Sequence, residues 1–364
     1  MKTIPAFLIS LAVIAILLIP DGCGTASKTG DAGSVDIGTP DVGIPDGGIA
    51  DGGAFGFARW MSYYKAQLSG LKMNQIVVLG AHDSASSVVN TDSQPCWGEI
   101  RSDPKEHIDG GPTPAQVNNA RTQSVQIYDQ LQAGVRYLDM RVALQDGGYY
   151  SEHMWLAAPF QGDGGILDQI RRFNSENPDE IVIIVTYQSH IYSDTTDGGM
   201  ATSGQTTDYF NMVNAELPLV TAPQSGTDPM QVTLGDIWAG QGRIIYFGPS
   251  NVEPFVWDSD KLDSQWMEDA GTPAELVQDL NQFVIGPWMD AGYPDGGNEK
   301  LRILQAMTND NDKIVNAVAT NAVILDQLTT NWAGVTMNVV QVNDTVEAVD
   351  AGMMPVLFNR MGLK

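Results

Sequence analysis

The sequence predicts an α/β fold arranged as one irregular (β/α)8 barrel. Short apolar runs, of which 180–187 is the clearest, are bounded by turn residues, as is typical of strands buried on both faces of a parallel sheet. These runs alternate with stretches that have helical spacing. The length of 364 residues also suits one such barrel.

The individual elements are predicted from local patterns. Helices are expected at 60–68, 123–133, 165–174, 207–216, 275–283, 301–307 and 345–351, and strands at 76–79, 137–142, 149–152, 180–187, 243–247 and 338–342. Gly134 is expected to end the second of these helices as its C′ residue. The stretch 88–120 is rich in Pro, Gly and Asp, and we interpret it as a loop over the mouth of a site, with simple packing as the alternative.

The N-terminal segment 1–22 has the features of an export signal. Lys2 supplies a positive charge before a continuous apolar core at 6–19, which is short for a membrane-spanning helix. The sequence PDGC at 20–23 resembles a bacterial lipoprotein cleavage site, which would place a lipid on Cys23; an ordinary cleaved secretory signal is the alternative. The protein is therefore expected at the cell envelope as a membrane-anchored lipoprotein, or else secreted.

Residues 23–54 repeat Gly, Asp, Pro and small aliphatic residues without a helical or strand period. Such a segment cannot bury enough apolar surface to offset its ordering entropy, so we expect a flexible acidic linker. A calcium site on its aspartates is less favoured, because no ligand spacing recurs. The folded domain is predicted to span 55–364.

The charge balance limits the partners. The formal net charge is −25 at pH 7, and no basic patch is present to release counterions from phosphates, so nucleic acid is not an expected partner. The same acidity disfavours an anionic lipid surface unless the mouth of the site is locally basic. The two cysteines, Cys23 and Cys96, provide no disulfide framework. We expect a monomer.

The strongest candidate site combines residues near the ends of three predicted strands. Asp139 and Arg141 are two residues apart on one strand, so their side chains point to the same face. The next strand delivers His153, and His82 follows the first strand. One imidazole can accept a proton and the other donate one while the arginine holds phosphate oxygens, so this set suits phosphodiester chemistry.

Four motifs occur in order between about residues 69 and 192: NQIVVLGAHDSAS, QSVQIYDQLQAGVRYLDMRV, YYSEH and NPDEIVIIVTY. Together they resemble the X-domain of phosphatidylinositol-specific phospholipase C, and most closely its bacterial and single-domain forms. The order and spacing of several motifs make the resemblance fairly specific. It implies a distorted TIM barrel with its active site at the carboxyl ends of the strands.

The resemblance also implies roles for individual residues. His82 would be the general base that deprotonates the inositol 2-hydroxyl, which attacks phosphorus and forms a cyclic phosphodiester. His153 would be the general acid that protonates the leaving diacylglycerol oxygen, with Asp83 as its partner. Met154 stands where the family usually has glycine. Taken alone, a histidine at a strand end is more often structural, and Asp83 could simply cap a turn.

Arg141 bears on the need for a metal ion. In calcium-dependent relatives a carboxylate stands at this position, so an arginine here implies catalysis without a metal or other cofactor. Asp139 would orient Arg141 or a histidine. An internal salt bridge between Asp139 and Arg141 is the alternative, since an arginine inside a barrel is costly unless it meets a ligand or a carboxylate.

Further positions are predicted to line the site. The late motif MNVVQVND resembles the family strand that ends in an aspartate supporting the base; direct alignment puts Asn343 there, and a strand-end bulge would be needed to bring in Asp344. His190 and Tyr187 follow the strand at 180–187 and are predicted to bind substrate, although His190 equally fits a polar loop. Inositol-specific relatives carry charged residues in this region, so the headgroup is left open.

The leading hypothesis is a metal-independent phospholipase C-like enzyme that acts on phosphatidylinositol-type or related lipid or polyol phosphodiesters. One alternative is a metal-dependent phosphodiesterase of the glycerophosphodiester or sphingomyelinase D kind, with Ca²⁺ or Mg²⁺ on Asp83 and Asp139. The other is a non-catalytic surface module that uses the same barrel to bind lipid headgroups or glycans.

Overall fold

The computed structural model describes residues 56–102, 111–223, 228–250, 252–290, 300–310 and 312–363. The predicted export signal, the acidic linker and Cys23 lie outside the described residues, so these assignments stay predictions. Within the described ranges, no helix combines the length and the apolar character that crossing a membrane requires.

Eight parallel strands form the main sheet. In chain order they are β1 (Val78–Ala81), β2 (Tyr137–Asp139), β3 (Val182–Val185), β4 (Ile244–Gly248), β5 (Val256–Asp258), β6 (Leu262–Ser264), β7 (Leu301–Gln305) and β8 (Val339–Val342). Their order across the sheet is β6-β7-β8-β1-β2-β3-β4-β5, with every neighbouring pair parallel. Sequential strands are therefore neighbours and β8 returns beside β1, as in a (β/α)8 barrel. No ladder joins β5 to β6 among the described residues, so the barrel has an open seam there.

The barrel strands are buried on both faces, which explains their continuous apolar sequences. Every residue of β1, β3, β4 and β8 is buried. Gly80 in β1 marks the tightest approach: a Cβ there would lie 2.7 Å from Cγ1 of Val339 and 2.9 Å from Cδ1 of Tyr137. Only glycine fits between these two neighbouring strands.

Helices and helical turns connect the strands. The α-helices are Trp60–Tyr63, Lys65–Leu68, Trp97–Ser102, Pro114–Ala120, Ile127–Gln132, Ile166–Glu176, Ser203–Glu216, Leu234–Ala239, Pro273–Leu280, Gly286–Asp290, Lys313–Thr329, Thr345–Asp350 and Met353–Arg360. Short 3₁₀ turns occur at Met73–Gln75, Ser86–Val88, Gln188–His190, Pro229–Gln231 and Ser259–Lys261, and a π-helical turn at Asn281–Ile285.

A second sheet of four strands, which we call the side sheet, follows the ends of β2 and β3 along the chain. Across this sheet the strands lie in the order Trp155–Pro159, Gly148–His153, Val142–Gln145 and Ile191–Ser193. Two of its strands begin within a few residues of the carboxyl ends of β2 and β3. The side sheet therefore stands next to the rim at which these barrel strands end, and it carries His153.

A buried ion pair closes the opposite, amino-terminal end of β2 and β3. Arg136 and Glu180 are both fully buried, and Nε of Arg136 donates to Oε2 of Glu180 at 2.9 Å. The remaining nitrogens of Arg136 donate to backbone carbonyls, including that of Ala58, and Oε1 of Glu180 accepts from the N–H of Ser62. The pair thus ties the first described helix to two barrel strands.

The predicted fold class is confirmed, while several element assignments are wrong. The stretch 301–307 is not a helix: residues 301–305 form β7, because pairing with β6 and β8 outweighs a helical spacing seen over only seven residues. The predicted strand 137–142 breaks after Asp139, and Val142 begins the side sheet. The predicted loop 88–120 contains two helices; the second starts at Pro114 and is capped by Thr113, whose Oγ1 accepts from the N–H of Gln116.

Candidate active site

Three adjacent barrel strands and the side sheet bring the predicted polar residues together. His82 and Asp83 follow β1, Asp139 ends β2, and Arg141 stands between β2 and the side sheet. Because β1 and β2 are parallel neighbours, their carboxyl ends meet at one rim. The side sheet then brings His153 to the same place.

The carboxylate of Asp83 is the centre of this cluster. Its Oδ1 lies 2.8 Å from Nε of Arg141, and its Oδ2 lies 3.2 Å from Nε2 of His82 and 3.4 Å from Nδ1 of His153. The contact with Arg141 is an ion pair, and the contacts with the two imidazoles are ion pairs only when those rings are protonated. Neither oxygen of Asp83 has a hydrogen-bond partner among the described residues. The backbone φ of Asp83 is +39°, a strained conformation that turns the chain sharply after β1.

The two imidazoles flank this carboxylate, with ring centroids 6.3 Å apart. Nδ1 of His82 lies 2.9 Å from Oδ1 of Asn343, and Nδ1 of His153 lies 2.9 Å from the carbonyl oxygen of Ala120. When His153 donates through Nδ1–H to that carbonyl oxygen, its Nε2 is left to exchange a proton with a substrate, whereas Nε2 of His82 lies beside Oδ2 of Asp83. The indole of Trp266 stacks on His82 at 5.4 Å and covers one face of the ring.

Burial dominates the titration of both histidines. It lowers the pKa of His82 to about 4, because the attraction of Asp83 only partly compensates and Arg141 and His153 add repulsion. Burial also lowers the pKa of His153, although Asp83 opposes this effect. His82 is therefore neutral at pH 7 and can accept a proton.

The two aspartates of the cluster differ in charge. Burial alone would raise the pKa of Asp83, but Arg141 and then the two imidazoles outweigh it and hold the pKa well below its usual range. Burial, followed by the charge of Asp83, raises the pKa of Asp139 to about 7. Oδ2 of Asp139 accepts from Nε2 of Gln341 at 2.8 Å. Arg141 thus pairs with Asp83, and the expected pairing with Asp139 is not what the structure contains.

Arg141 has a second acidic neighbour that the sequence did not predict. Its Nη1 lies 3.6 Å from Oε1 of Glu99, which belongs to the helix Trp97–Ser102 in the predicted loop. The side chain of Arg141 is 20% exposed. Burial would lower its pKa, but Asp83, Glu152 and Glu99 raise it above the ordinary value, so Arg141 is always charged.

Asn343, and not Asp344, provides the side-chain oxygen beside Nδ1 of His82. β8 stays in register with β1 through Val342, so Gln341 and Asn343 face the same side, and Asn343 contacts His82. Asp344 instead has φ +45° and accepts from Oγ of Ser124 at 2.7 Å. The bulge that would bring in Asp344 is absent from the described strand, so the residue that contacts His82 is the one that direct alignment places there, Asn343.

His190 and Tyr187 lie just past β3, at the 3₁₀ turn Gln188–His190, with ring centroids 5.8 Å apart. Burial and then the charge of Arg141 lower the pKa of His190 to about 4, so His190 lies within the field of the cluster. The substrate-binding role of His190 and Tyr187 stays a prediction.

Lys313, at the start of the helix after β7, is 3% exposed. Burial lowers the pKa of Lys313, and the charge of Asp83 opposes this effect.

The cluster is a poor match for Ca²⁺ or Mg²⁺. His82, Asp83 and Asp139 each offer a ligand atom within 4.8 Å of the others. However, both oxygens of Asp83 already face cationic or imidazole nitrogens, and a guanidinium stands 2.8 Å from one of them. Hard divalent cations need about six or more oxygen ligands and no competing cation, and this set offers two carboxylates.

No family model matches the chain. Among curated proteins, it is 31% identical over 140 residues to a PI-PLC X-box domain-containing protein of Dictyostelium discoideum, covering 38% of this chain and 17% of that protein. It is 28% identical over 162 residues to 1-phosphatidylinositol phosphodiesterase of Listeria monocytogenes, covering 44% of this chain and 45% of the relative. The matched region therefore spans less than half of the length of either relative.

Solved structures show the same architecture. Phosphatidylinositol-specific phospholipase C from Listeria monocytogenes matches with a TM-score of 0.52 at 16% identity, covering 81% of this chain and 98% of that one. The enzyme of the same name from Staphylococcus aureus, solved in a study of its membrane binding, matches with a TM-score of 0.53 at 14% identity, covering 81% and 97%. These comparisons confirm the resemblance to the phosphatidylinositol-specific phospholipase C family and the barrel fold.

Proposed function

We propose that this relative of the phosphatidylinositol-specific phospholipases C is itself a phosphoric diester hydrolase or lyase that works without a metal ion. The observation that carries the proposal is the pair of imidazoles, His82 and His153, on either side of the Asp83–Arg141 ion pair. A proton acceptor, a proton donor and a fixed positive charge are the groups that cleavage of a phosphodiester by an internal hydroxyl requires.

In the proposed step, neutral His82 takes the proton of a headgroup hydroxyl. For a phosphatidylinositol substrate this is the inositol 2-hydroxyl, whose oxygen attacks phosphorus and forms a cyclic phosphodiester. The bond from phosphorus to the diacylglycerol oxygen breaks, and protonated His153 gives its proton to that oxygen. Arg141 binds the non-bridging oxygens and offsets the charge that builds on them in the transition state.

Asp83 would serve both ends of this reaction. Its charge attracts protons to His153, which must be protonated to act as the acid, and its ion pair with Arg141 fixes the guanidinium. Asp139, whose pKa is raised, would act on Asp83 through a backbone contact: the nitrogen of Asp83 lies 3.5 Å from Oδ2 of Asp139. We therefore assign Asp139 a supporting role.

The substrate class is a lipid or polyol phosphodiester with a hydroxyl next to the phosphate. Beyond β3, the rim offers Tyr187, Gln188, Ser189 and His190, which can hydrogen-bond a polyol but carry no fixed charge. We propose phosphatidylinositol, or a related lipid whose phosphate carries an uncharged polyol, as the substrate, and no nucleic acid partner.

Export and lipidation belong to the same proposal. A lipid on Cys23, followed by the acidic linker 23–54, would hold the monomeric barrel close to a membrane surface at the cell envelope. The support is the N-terminal sequence alone. Mass spectrometry of the N-terminal peptide from the protein purified out of its membrane fraction tests it: an unmodified or absent Cys23 would leave a secreted enzyme.

The central experiment follows phosphatidylinositol by phosphorus NMR in the presence of EDTA. We expect a cyclic phosphodiester product from the wild-type protein, and none from His82→Ala or His153→Ala. Turnover that EDTA abolishes would favour the metal-dependent alternative. Binding of the lipid without turnover, unchanged by His82→Ala, would favour a non-catalytic module.

A further inference from the structure

Glu99 contacts both Arg141 and the peptide that follows His153. It comes from the helix Trp97–Ser102, and its side chain is 14% exposed. Oε1 of Glu99 lies 3.6 Å from Nη1 of Arg141. Oε2 of the same carboxylate accepts a hydrogen bond from the backbone N–H of Met154, the residue that follows His153.

The backbone at Met154 needs this support. Its φ is +61°, in the left-handed region that favours glycine, so a methionine at this position is strained. The N–H of Met154 is also 3.1 Å from Oε2 of Glu152, so two carboxyl groups hold one peptide. The peptide fixes the end of the strand Gly148–His153 and therefore the direction in which His153 points.

The two glutamates do not carry the same charge. Burial and then the charge of Glu99 raise the pKa of Glu152 well above its ordinary value, and Glu152 is 1% exposed. Burial opposes ionisation of Glu99, but the adjoining Glu152 carboxyl group and the charge of Arg141 outweigh it and lower its pKa. Glu152 is thus the neutral acid of the pair and Glu99 the carboxylate that faces Arg141.

We propose that Glu99 is a positioning residue for the phosphodiester cleavage proposed above, acting by holding Arg141 and the His153–Met154 peptide at a fixed separation. Asp83 fixes the guanidinium at Nε and Glu99 fixes it at Nη1, which leaves Nη2 for a phosphate oxygen. Burial lowers the pKa of His153, and the charge of Glu99, after that of Asp83, opposes this lowering. The inference rests on the proposed function for its catalytic meaning, whereas the clamp itself can be measured without turnover.

The kinetic test compares Glu99→Gln with Glu268→Gln, a matched change at an exposed position. We expect Glu99→Gln to lower kcat at least about tenfold and to raise KM by a smaller factor, because a displaced arginine and acid cost most in the transition state. The alkaline limb of the pH profile should move to lower pH, since the charge of Glu99 raises the pKa of His153. A role in folding alone would lower the melting temperature without moving that limb, and would overturn the inference.

Met154→Gly provides the second arm. Glycine adopts φ +61° without strain, so the single variant should lower kcat by a smaller factor than Glu99→Gln does. In the Glu99→Ala background, Met154→Gly should recover part of the lost kcat, because the peptide no longer needs the carboxylate. Strictly additive effects of the two changes would contradict the clamp.

Binding of inorganic phosphate, measured by calorimetry, separates this inference from the proposed function. We expect Glu99→Gln to weaken phosphate binding at least about fivefold through Arg141, whether or not the wild-type protein turns over lipid. Equal phosphate affinity in the two proteins would overturn the clamp. A wild-type protein that binds phosphate by this clamp but cleaves no phosphodiester would overturn the proposed function alone.

Elemental analysis tests the alternative that these residues bind a metal ion. Cys96, Glu99 and Glu152 each offer a ligand atom within 4.8 Å of the others. We expect the purified protein to hold no stoichiometric metal, because a proton on Glu152 balances the pair. One equivalent of a divalent metal that disappears in Glu152→Gln would assign these residues to the ion and overturn the clamp.

Discussion

Arg136 precedes β2 and Arg141 follows it, so two guanidinium groups stand at opposite ends of the same strand. At the amino end, each nitrogen of Arg136 donates to at least one oxygen, and both Arg136 and Glu180 are fully buried. At the carboxyl end, Arg141 is held by ion pairs without aligned hydrogen bonds and keeps an exposed fraction of 20%.

The comparison teaches how to tell a structural arginine from one that waits for a ligand. Residue type does not separate the two, because both are arginines beside carboxylates, and the difference in exposure is modest. What differs is hydrogen bonding: Arg136 has used its donors on the protein, whereas Arg141 has donors left over at a rim where two imidazoles meet. The first arrangement stabilises the fold, and the second suits an anionic substrate.

The largest expected effect is on stability, at the structural pair. Arg136→Met leaves Glu180 buried without its partner, so we expect the free energy of unfolding to fall by about 3–5 kcal/mol. Urea unfolding followed by circular dichroism measures this loss, and turnover per folded molecule should stay unchanged. The double change Arg136→Met and Glu180→Leu should recover most of the loss; a stable single variant would show that the pair is not what closes this end of the barrel.

The next effect is on catalysis, at the other end of the strand. Arg141→Lys keeps the charge but loses the planar fork that binds two phosphate oxygens. We expect kcat/KM to fall by about 10²–10³ with the free energy of unfolding nearly unchanged. Steady-state kinetics on phosphatidylinositol together with a melting curve test this pairing of results. Arg136→Lys is the matched variant. It should lower the free energy of unfolding and leave kcat/KM nearly unchanged.

The pH dependence of stability is a third way to probe the rim. The folded state favours neutral Asp139, whose pKa is raised to about 7, while the unfolded chain ionises near the ordinary value of 3.8. The stability that this group contributes is therefore complete below about pH 4 and is lost as pH rises through 7. Asp139→Asn should remove this slope and gain about 2 kcal/mol over wild type at pH 8, as measured by urea unfolding across pH.

The smallest expected effect concerns the acidic limb of activity. Since the pKa of His82 is about 4 and that of His153 is below its ordinary 6.5, we expect a bell-shaped kcat/KM profile with its optimum on the acid side of neutral. Asn343→Asp would place a charge next to Nδ1 of His82 and move the acidic limb up by about one pH unit. An unmoved limb would mean that His82 is not the group titrating there.

Much of the site could be predicted from sequence because its residues follow short, recognisable strands. His82, Asp83, Asp139, Arg141 and His153 were all expected at one rim, and the structure brings all five together. Their chemical roles stay predictions. The pairing inside the cluster could not be foreseen, because a sharp turn at Asp83, rather than strand alternation, places its carboxylate against Arg141.

Other contributors were missed for a different reason. Glu99 and Ala120 come from a stretch whose Pro and Gly content predicted a loop, although capping at Thr113 and tertiary contacts produce two helices. Trp266 follows β6, a strand that the sequence did not predict. Lys313 follows β7, which the sequence predicted to be a helix. Short strands buried on both faces lack the alternation that would reveal them.

The open seam between β5 and β6 has a consequence for the evolution of the chain. A closed barrel fixes its circumference, since strand number, tilt and stagger must agree around the whole ring. Here two three-residue strands end the sheet, and among the described residues each pairs with one neighbouring strand, so that agreement is not imposed on them. Residues can be added or lost at this gap without breaking a ring of hydrogen bonds, so the cavity can change its width there while the wall formed by β8, β1 and β2 stays as it is.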